Sequence, residues 1–212
     1  LSVIKDKEFD HCITDPPYGE NVHRNQFDSG GGIKAQPTKL DFAPLQAYQA
    51  YVYAKEIARV TKGWILAFCQ AEMVGDWKSA FIAAGCIYKR CCVWVKPGAR
   101  PQLSGDRPGQ GFECIVCAWA GKGRSIWNGR GKLGIYKAPI PRGKARFGHP
   151  TAKPLDLMEQ LVSDFTKPGE IILDPFSGSG STHVAAKKLG RRSWGYELDE
   201  NYVAVANERI SL

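Results

Sequence analysis

Apolar positions along the chain recur with two periods in turn, and the alternation predicts strands and helices in succession. Residues 8–14 end in the run Cys12-Ile13 and read as a buried strand that stops at Asp15. Residues 19–44 are polar, carry Gly30-Gly31-Gly32 and show no hydrophobic period, which calls for a long loop. The spacing predicts a helix over 45–62, with Tyr48, Tyr51, Val52 and Ile57 near one face, and Gly63 then turns into a strand over 64–68. A helix over 72–84 is ended by Gly85. Residues 86–95 and 112–119 are rich in aromatic and β-branched side chains, with the Pro- and Gly-dense stretch 96–111 between them. They read as two antiparallel strands joined by a long loop. Pro154 stands at a favourable first helical position, and Leu155, Met158, Leu161, Val162 and Phe165 repeat at helical spacing. A strand over 170–173, a helix over 181–189, a strand over 193–196 and a helix over 200–210 complete the series.

Strands alternating with helices imply an α/β fold: a mostly parallel twisted sheet with an antiparallel hairpin and helices on both faces. The 212 residues suit one domain with a full core, and no repeat or linker marks a second. No apolar run approaches the length of a membrane span, and no signal-peptide pattern opens the chain. Seven cysteines without framework spacing point to reduced thiols and a cytoplasmic setting. Cys114-x-x-Cys117 lies in a strand pattern without a second ligand pair, so core packing is expected there and no metal.

Charge sharpens the picture. The net charge is +8, yet residues 121–155 alone hold nine Lys or Arg and no acid. Trp127, Tyr136 and Phe147 are interleaved among these cations, a composition that suits a polyanion. Lys122, Arg124, Arg130, Lys132, Lys137, Arg142, Lys144 and Arg146 are the candidate nucleic-acid contacts. A solvated basic loop is the plainer reading of the same residues.

Two strings carry the chemistry, each a strand that stops at an acid and opens into a loop. An open α/β sheet places its ligands at such points. After Ile171-Ile172-Leu173 comes Asp174-Pro175-Phe176-Ser177-Gly178-Ser179-Gly180, whose glycines let backbone pass close to a ligand. His183 stands where a dinucleotide fingerprint needs its third Gly, and no Lys-Ser or Lys-Thr closes a phosphate loop. Asp174 at the loop mouth suits a cation rather than a phosphate, and Glu197 at the next strand end can accept from both ribose hydroxyls. A ligand with a ribose, a positive charge and no phosphate describes S-adenosylmethionine. The other string is Asp15-Pro16-Pro17-Tyr18. An exocyclic amine on a nucleobase is a poor nucleophile because its lone pair is delocalised into the ring. A carboxylate and a backbone carbonyl side by side, here Asp15 and the carbonyl of Pro16, can draw its N–H groups out of plane. Two prolines hold the segment extended, and Tyr18 offers a face for a flipped base. Attack at carbon 5 of cytosine would need a cysteine nucleophile, usually in a Pro-Cys pair, and no proline here precedes Cys.

With these residues assembled, the chain resembles the DNA amino-methyltransferases, and among them the permuted β group. There the Asp-Pro-Pro-Tyr motif precedes Asp-Pro-Phe-x-Gly-Ser-Gly, the order found here. His149-Pro150-Thr151-Ala152-Lys153-Pro154-Leu155, Gly195-Tyr196-Glu197-Leu198-Asp199 with Tyr202, and Trp94-Val95-Lys96-Pro97 resemble further family segments. The resemblance implies a Rossmann-like S-adenosylmethionine-dependent methyltransferase fold over one catalytic domain, residues 1–212. Asp15, Pro16, Pro17 and Tyr18 would then be the catalytic and base-binding group. Asp174, Pro175, Phe176, Ser177, Gly178, Ser179, Gly180 and Glu197 would hold the cofactor. Thr151 and Lys153 would lie near its methionine end, with Lys153 on the carboxylate.

The family usually carries a Gly-Asp pair upstream of its first helix, and this sequence opens inside that region without a Met, so residues ahead of Leu1 are expected. A short basic target-recognition insertion at about residues 121–147 implies a short or relaxed target sequence, or help from a second protomer. DNA is the implied partner, and the resemblance also allows a homodimer and a companion restriction endonuclease. Asp at the first motif position favours the 6-amino group of adenine, because Ser is commoner there among cytosine-directed relatives. The 4-amino group of cytosine is the alternative. RNA or protein-amide methylation and a silent DNA-binding protein are more remote readings.

Overall fold

A computed structural model of the chain describes residues 1–17, 47–99, 101–103, 105–148 and 151–211, with backbone alone at positions 144 and 146. Tyr18, the loop expected over 19–44, His149, Pro150 and the side chains of Lys144 and Arg146 lie outside the described residues.

The strands are β1 (His11–Thr14), β2 (Trp64–Cys69), β3 (Ile87–Val95), β4 (Phe112–Trp119), β5 (Ile135–Lys137), β6 (Ile171–Asp174) and β7 (Arg192–Gly195). They form one sheet of seven in the order β5-β3-β4-β2-β1-β6-β7. β1 pairs in parallel with β2 and β6, β6 with β7, and β3 with β5, while β4 runs antiparallel to both its neighbours. The mixed α/β sheet and its antiparallel β3–β4 hairpin match the sequence expectation. From β1 the chain passes to β2 on one side, and much later it returns to the other side of β1 as β6. That reversal opens a crevice beyond the carboxyl ends of β1 and β6.

All six residues of β2, Trp-Ile-Leu-Ala-Phe-Cys, are buried because both faces of the sheet are covered. Ile65, Ala67 and Cys69 share one core with α1 (Ala47–Val60) and α2 (Val74–Ala83). Trp64, Leu66 and Phe68 share the other with α3 (Leu155–Phe165) and α4 (Ser181–Lys188). α5 (Glu200–Ser211) packs outside α4. Gly85 ends α2 with φ +83°, and the Cys86 N–H donates back to the Phe81 carbonyl at 2.9 Å, so the left-handed turn closes the helix. Cys114 and Cys117 fall in opposite cores, three positions apart on a strand whose side chains alternate. No helix among the described residues is long and apolar enough to cross a membrane.

Two expectations need correction. In α1 the face turned to the sheet is Ala50, Ala54, Ile57, Ala58 and Val60, while Tyr48, Tyr51 and Val52 are exposed. Small residues let the helix approach the sheet closely. Residues 121–147, read as a basic insertion with no strand predicted in it, contain β5. Three residues are too few to show a period, and β5 is held by Val93, Trp94 and Val95 across the ladder.

Candidate active site

β1 and β6 are paired with His11 opposite Ile172 and Cys12 opposite Leu173, so their carboxyl ends stop side by side. The Thr14 hydroxyl donates to Asp174 Oδ1 at 2.9 Å and ties the two strand ends together. Asp15 and Asp174, 159 positions apart in sequence, thereby open onto one cavity of about 1060 Å³. Its walls include Asp15, Pro16, Pro17, Phe68, Lys96 and Glu113 on one side and Asp174, Phe176, Gly178, Ser179 and Glu197 on the other. Thr151 and Lys153 line it as well.

On the glycine-loop side, Asp174 is buried and its carboxylate accepts from Thr182 Oγ1 at 2.5 Å, Thr14 Oγ1 and the Phe176 N–H at 3.2 Å. Burial pushes its pKa up to about 6, against the pull of these donors. Ser177 Oγ donates to the Asp174 carbonyl at 2.9 Å, so His183 Nε2 must be the donor in its 3.0 Å contact with the same hydroxyl. Burial holds the His183 pKa down at about 4, which keeps the ring neutral. A Cβ on Gly195 would stand 2.1 Å from Ser177 Oγ and 2.2 Å from His183 Nε2, so only glycine leaves room for this pair.

Gly180 precedes α4 at φ +80°, a conformation that carries a Cβ penalty for any other residue. Glu197, two residues beyond β7, accepts from the N–H groups of Gly178 at 2.7 Å, Leu198 at 2.8 Å and Asp199 at 3.0 Å. A carboxylate has about four acceptor positions, so one can take a ligand hydroxyl without displacing these donors. Tyr53 of α1 meets Phe176 edge-on at 5.2 Å and adds an apolar wall. An acceptor for a ribose hydroxyl, an apolar wall and a tight glycine turn fit the nucleoside cofactor expected from the sequence.

On the other side, Lys153 is buried and its ammonium bonds to Asp15 Oδ2 and lies 3.5 Å from Glu113 Oε2. Glu113 in turn pairs with Lys96. The Lys153 ammonium stands over the ring of Phe68 at 5.1 Å and Trp94 at 6.0 Å. Burial alone would lower the pKa of Lys153, but Asp15 and Glu113 more than offset it, and the net shift is upward. Lys153, expected near a cofactor carboxylate, lines the cavity with its ammonium engaged with Asp15 and Glu113.

Glu113 was missed as a cavity residue, and Lys96 was noted only as part of the Trp94–Pro97 segment. A lone acid inside the apolar stretch Phe112–Trp119 was the signal, since acids are seldom buried without a partner.

The basic residues divide between the two ends of the sheet. β4 runs against its neighbours, and Trp119 at its end pairs with Trp64 and Ile87, the first residues of β2 and β3. Lys122, Arg124, Arg130 and Lys132 follow at this end, away from Asp15. There the Ile126 carbonyl accepts from Trp64 Nε1 at 2.5 Å, and Lys132 pairs at 2.7 Å with Asp164 near the end of α3. β5 then carries the chain to the same edge as Asp15, where Lys137 and Arg142 lie. Arg142 donates to the Gly98 carbonyl at 2.8 Å beyond the end of β3.

The family model for N6/N4 methyltransferases, described as DNA methylase, matches residues 9–208. The type II methyltransferase M2.DpnII of Streptococcus pneumoniae is 25% identical over 232 residues, covering 99% of this chain and 85% of the relative. Among solved structures, M1.HpyAVI in its SAM complex superposes with a TM-score of 0.75 at 26% identity, covering 100% of this chain and 91% of the other. The cytosine-N4-specific PvuII DNA methyltransferase gives 0.71 at 15% identity, covering 98% and 81%, a likeness of fold alone.

Proposed function

The chain belongs to the DNA methylase family, and on that premise we propose that it transfers a methyl group from S-adenosylmethionine to the 6-amino group of adenine in DNA. The observation that carries the reading is the single cavity shared by the Asp15-Pro16-Pro17 and Asp174–Gly180 segments, joined by the Thr14–Asp174 hydrogen bond. The SAM complex of M1.HpyAVI supports the cofactor. When bound, S-adenosylmethionine supplies an electrophilic methyl group on a sulfonium.

Glu197 takes a ribose hydroxyl, Phe176 walls the adenine, and Ser177, Gly178, Ser179 and Thr151 line the rest of the cofactor's seat. Asp15 and the Pro16 carbonyl accept the two N–H bonds of the target amine, which localises the nitrogen lone pair for in-line attack. Lys153 is assigned to Asp15. The Lys153 ammonium on Oδ2 orients that carboxylate, so Asp15 acts by accepting hydrogen bonds. As the nitrogen–methyl bond forms the methyl–sulfur bond breaks to leave a neutral thioether, and the proton shed by the methylated nitrogen passes to water. Tyr18 is assigned to stacking on the flipped base.

Asp at position 15 supports adenine. Cytosine presents an amine beside a ring nitrogen in the same way, and the fold shared with the PvuII enzyme suits either base. Labelled S-adenosylmethionine with unmethylated genomic DNA, followed by nucleoside mass spectrometry, tests the proposal. The expected product is N6-methyladenine, lost in Asp15→Ala and not formed on RNA. N4-methylcytosine would overturn the base assignment, and product persisting in Asp15→Ala would overturn the catalytic one.

A further inference from the structure

Arg209 lies in α5, outside every motif considered so far, yet it is only 9% exposed. Its Nη1 donates to the Ser179 carbonyl at 2.5 Å and to Ser179 Oγ at 3.0 Å, with Ser181 Oγ at 3.4 Å. No carboxylate pairs with it among the described residues. Burying a guanidinium charge is costly, and three oxygens from one short turn are its return. Ser179 and Ser181 both line the cavity, so Arg209 grips the wall from behind. The turn itself is soft, with Gly178 at φ +48° and Gly180 at φ +80°. Ser181 Oγ also donates to the Lys153 carbonyl at 2.9 Å, which links the grip to the residue that holds Asp15.

The other face of the guanidinium is covered by Phe147, whose ring centroid lies 4.0 Å from Cζ. Phe147 is half exposed and adopts φ +50°, a left-handed backbone that costs a bulky residue free energy and persists only where its surroundings hold it. It closes the basic stretch four positions ahead of Thr151. One side chain of α5 thus touches both the glycine turn and Phe147 at the end of the basic stretch.

We infer that Arg209 is a positioning residue for cofactor binding, acting through Ser179 and Ser181, and that Phe147 locks it in place. The inference rests on the cofactor assignment above but not on the target base or on DNA. The test is the dissociation constant for S-adenosylmethionine by isothermal titration calorimetry, with the unfolding temperature of each free variant alongside. Arg209→Met is expected to weaken binding about 10- to 100-fold, the scale of losing charge-assisted hydrogen bonds. Arg209→Lys falls between, because an ammonium cannot both fork and stack. Phe147→Ala weakens binding about 2- to 5-fold, as loss of a half-exposed cation–π contact does, and Phe147→Tyr restores it. A folded Arg209→Met that binds within about twofold of wild type overturns the inference. Should that variant not fold, the Phe147 pair decides, and wild-type affinity in Phe147→Ala overturns it. Absence of binding by the wild-type chain would instead remove the cofactor assignment itself.

Discussion

Asp174, at the end of β6, and His183, in α4, flank the glycine turn and respond to acid in opposite senses. Asp174 is raised from 3.8 to about 6, so its protonation favours the folded state, and the stability it adds below pH 3.8 is lost as pH rises through 6. His183 is lowered from 6.5 to about 4, so it contributes stability above pH 6.5 that is lost as pH falls through 4. Both windows cover pH 4 to 6. Going from pH 7 to pH 4, linkage gives a gain of about 2 kcal/mol from Asp174 and a loss of about 3 kcal/mol from His183. The pair therefore nearly cancels in the wild-type chain. Substitution exposes each half. In His183→Gln the amide still reaches Ser177 but cannot titrate, so acidification should stabilise this variant by about 3 kcal/mol relative to wild type. Asp174→Asn should lose about 2 kcal/mol relative to wild type over the same range. Urea unfolding followed by tryptophan fluorescence at pH 7 and pH 4 measures all three. Every other carboxylate contributes alike and drops out of the differences. Three pH dependences parallel to within about 1 kcal/mol would refute the reasoning, as would a histidine at position 183 that titrates near 6.5 by NMR.

Lys153→Met strips the ammonium from between Asp15 and Glu113 and should cost about 3 to 5 kcal/mol in urea unfolding, with part recovered by adding Glu113→Gln; a cost below about 1 kcal/mol would mean the buried pairs do not form. Since the Lys153 pKa is raised above 10.5, this stabilisation is constant through neutral pH and fades only in strong alkali, which the same measurement at pH 7 and 9 checks by showing no change. For DNA, Lys137→Ala and Arg142→Ala should each reduce the salt slope of binding to unmethylated duplex by about 1, while Lys122→Ala and Arg124→Ala leave it unchanged; equal effects at both ends of the sheet would reject the division.

Much of this site is written locally in the sequence. A buried strand that stops at an acid and opens into a Pro- or Gly-bearing loop identifies Asp15 and Asp174 without any knowledge of the fold, and Glu197 follows from the next strand. What no local pattern holds is that β1 and β6 are neighbours, because parallel partners are joined by long crossovers and their pairing leaves no periodic trace between them. The same gap hid the partner of Lys153: a lysine ahead of a helix reads as a surface charge or an anion contact until Asp15 and Glu113 are brought to it from distant strands.

The basic stretch shows how topology overrules composition. Read along the chain, residues 121–147 form one cationic block that composition alone would offer whole to one strand of DNA. The direction of β4 breaks the block. An antiparallel strand delivers the chain to the far end of the sheet, so Lys122, Arg124, Arg130 and Lys132 are spent there, and only after climbing β5 does the chain return to the edge that holds Asp15. Sites on an open α/β sheet form at the carboxyl ends of its parallel strands, so charge at the opposite end cannot steer a phosphate backbone across the target amine. The count of cations therefore overstates the grip at the site. On the proposed function, Lys137 and Arg142 are the described cations of this stretch placed to meet a duplex at the site, and the salt slope measures whether they close on phosphate.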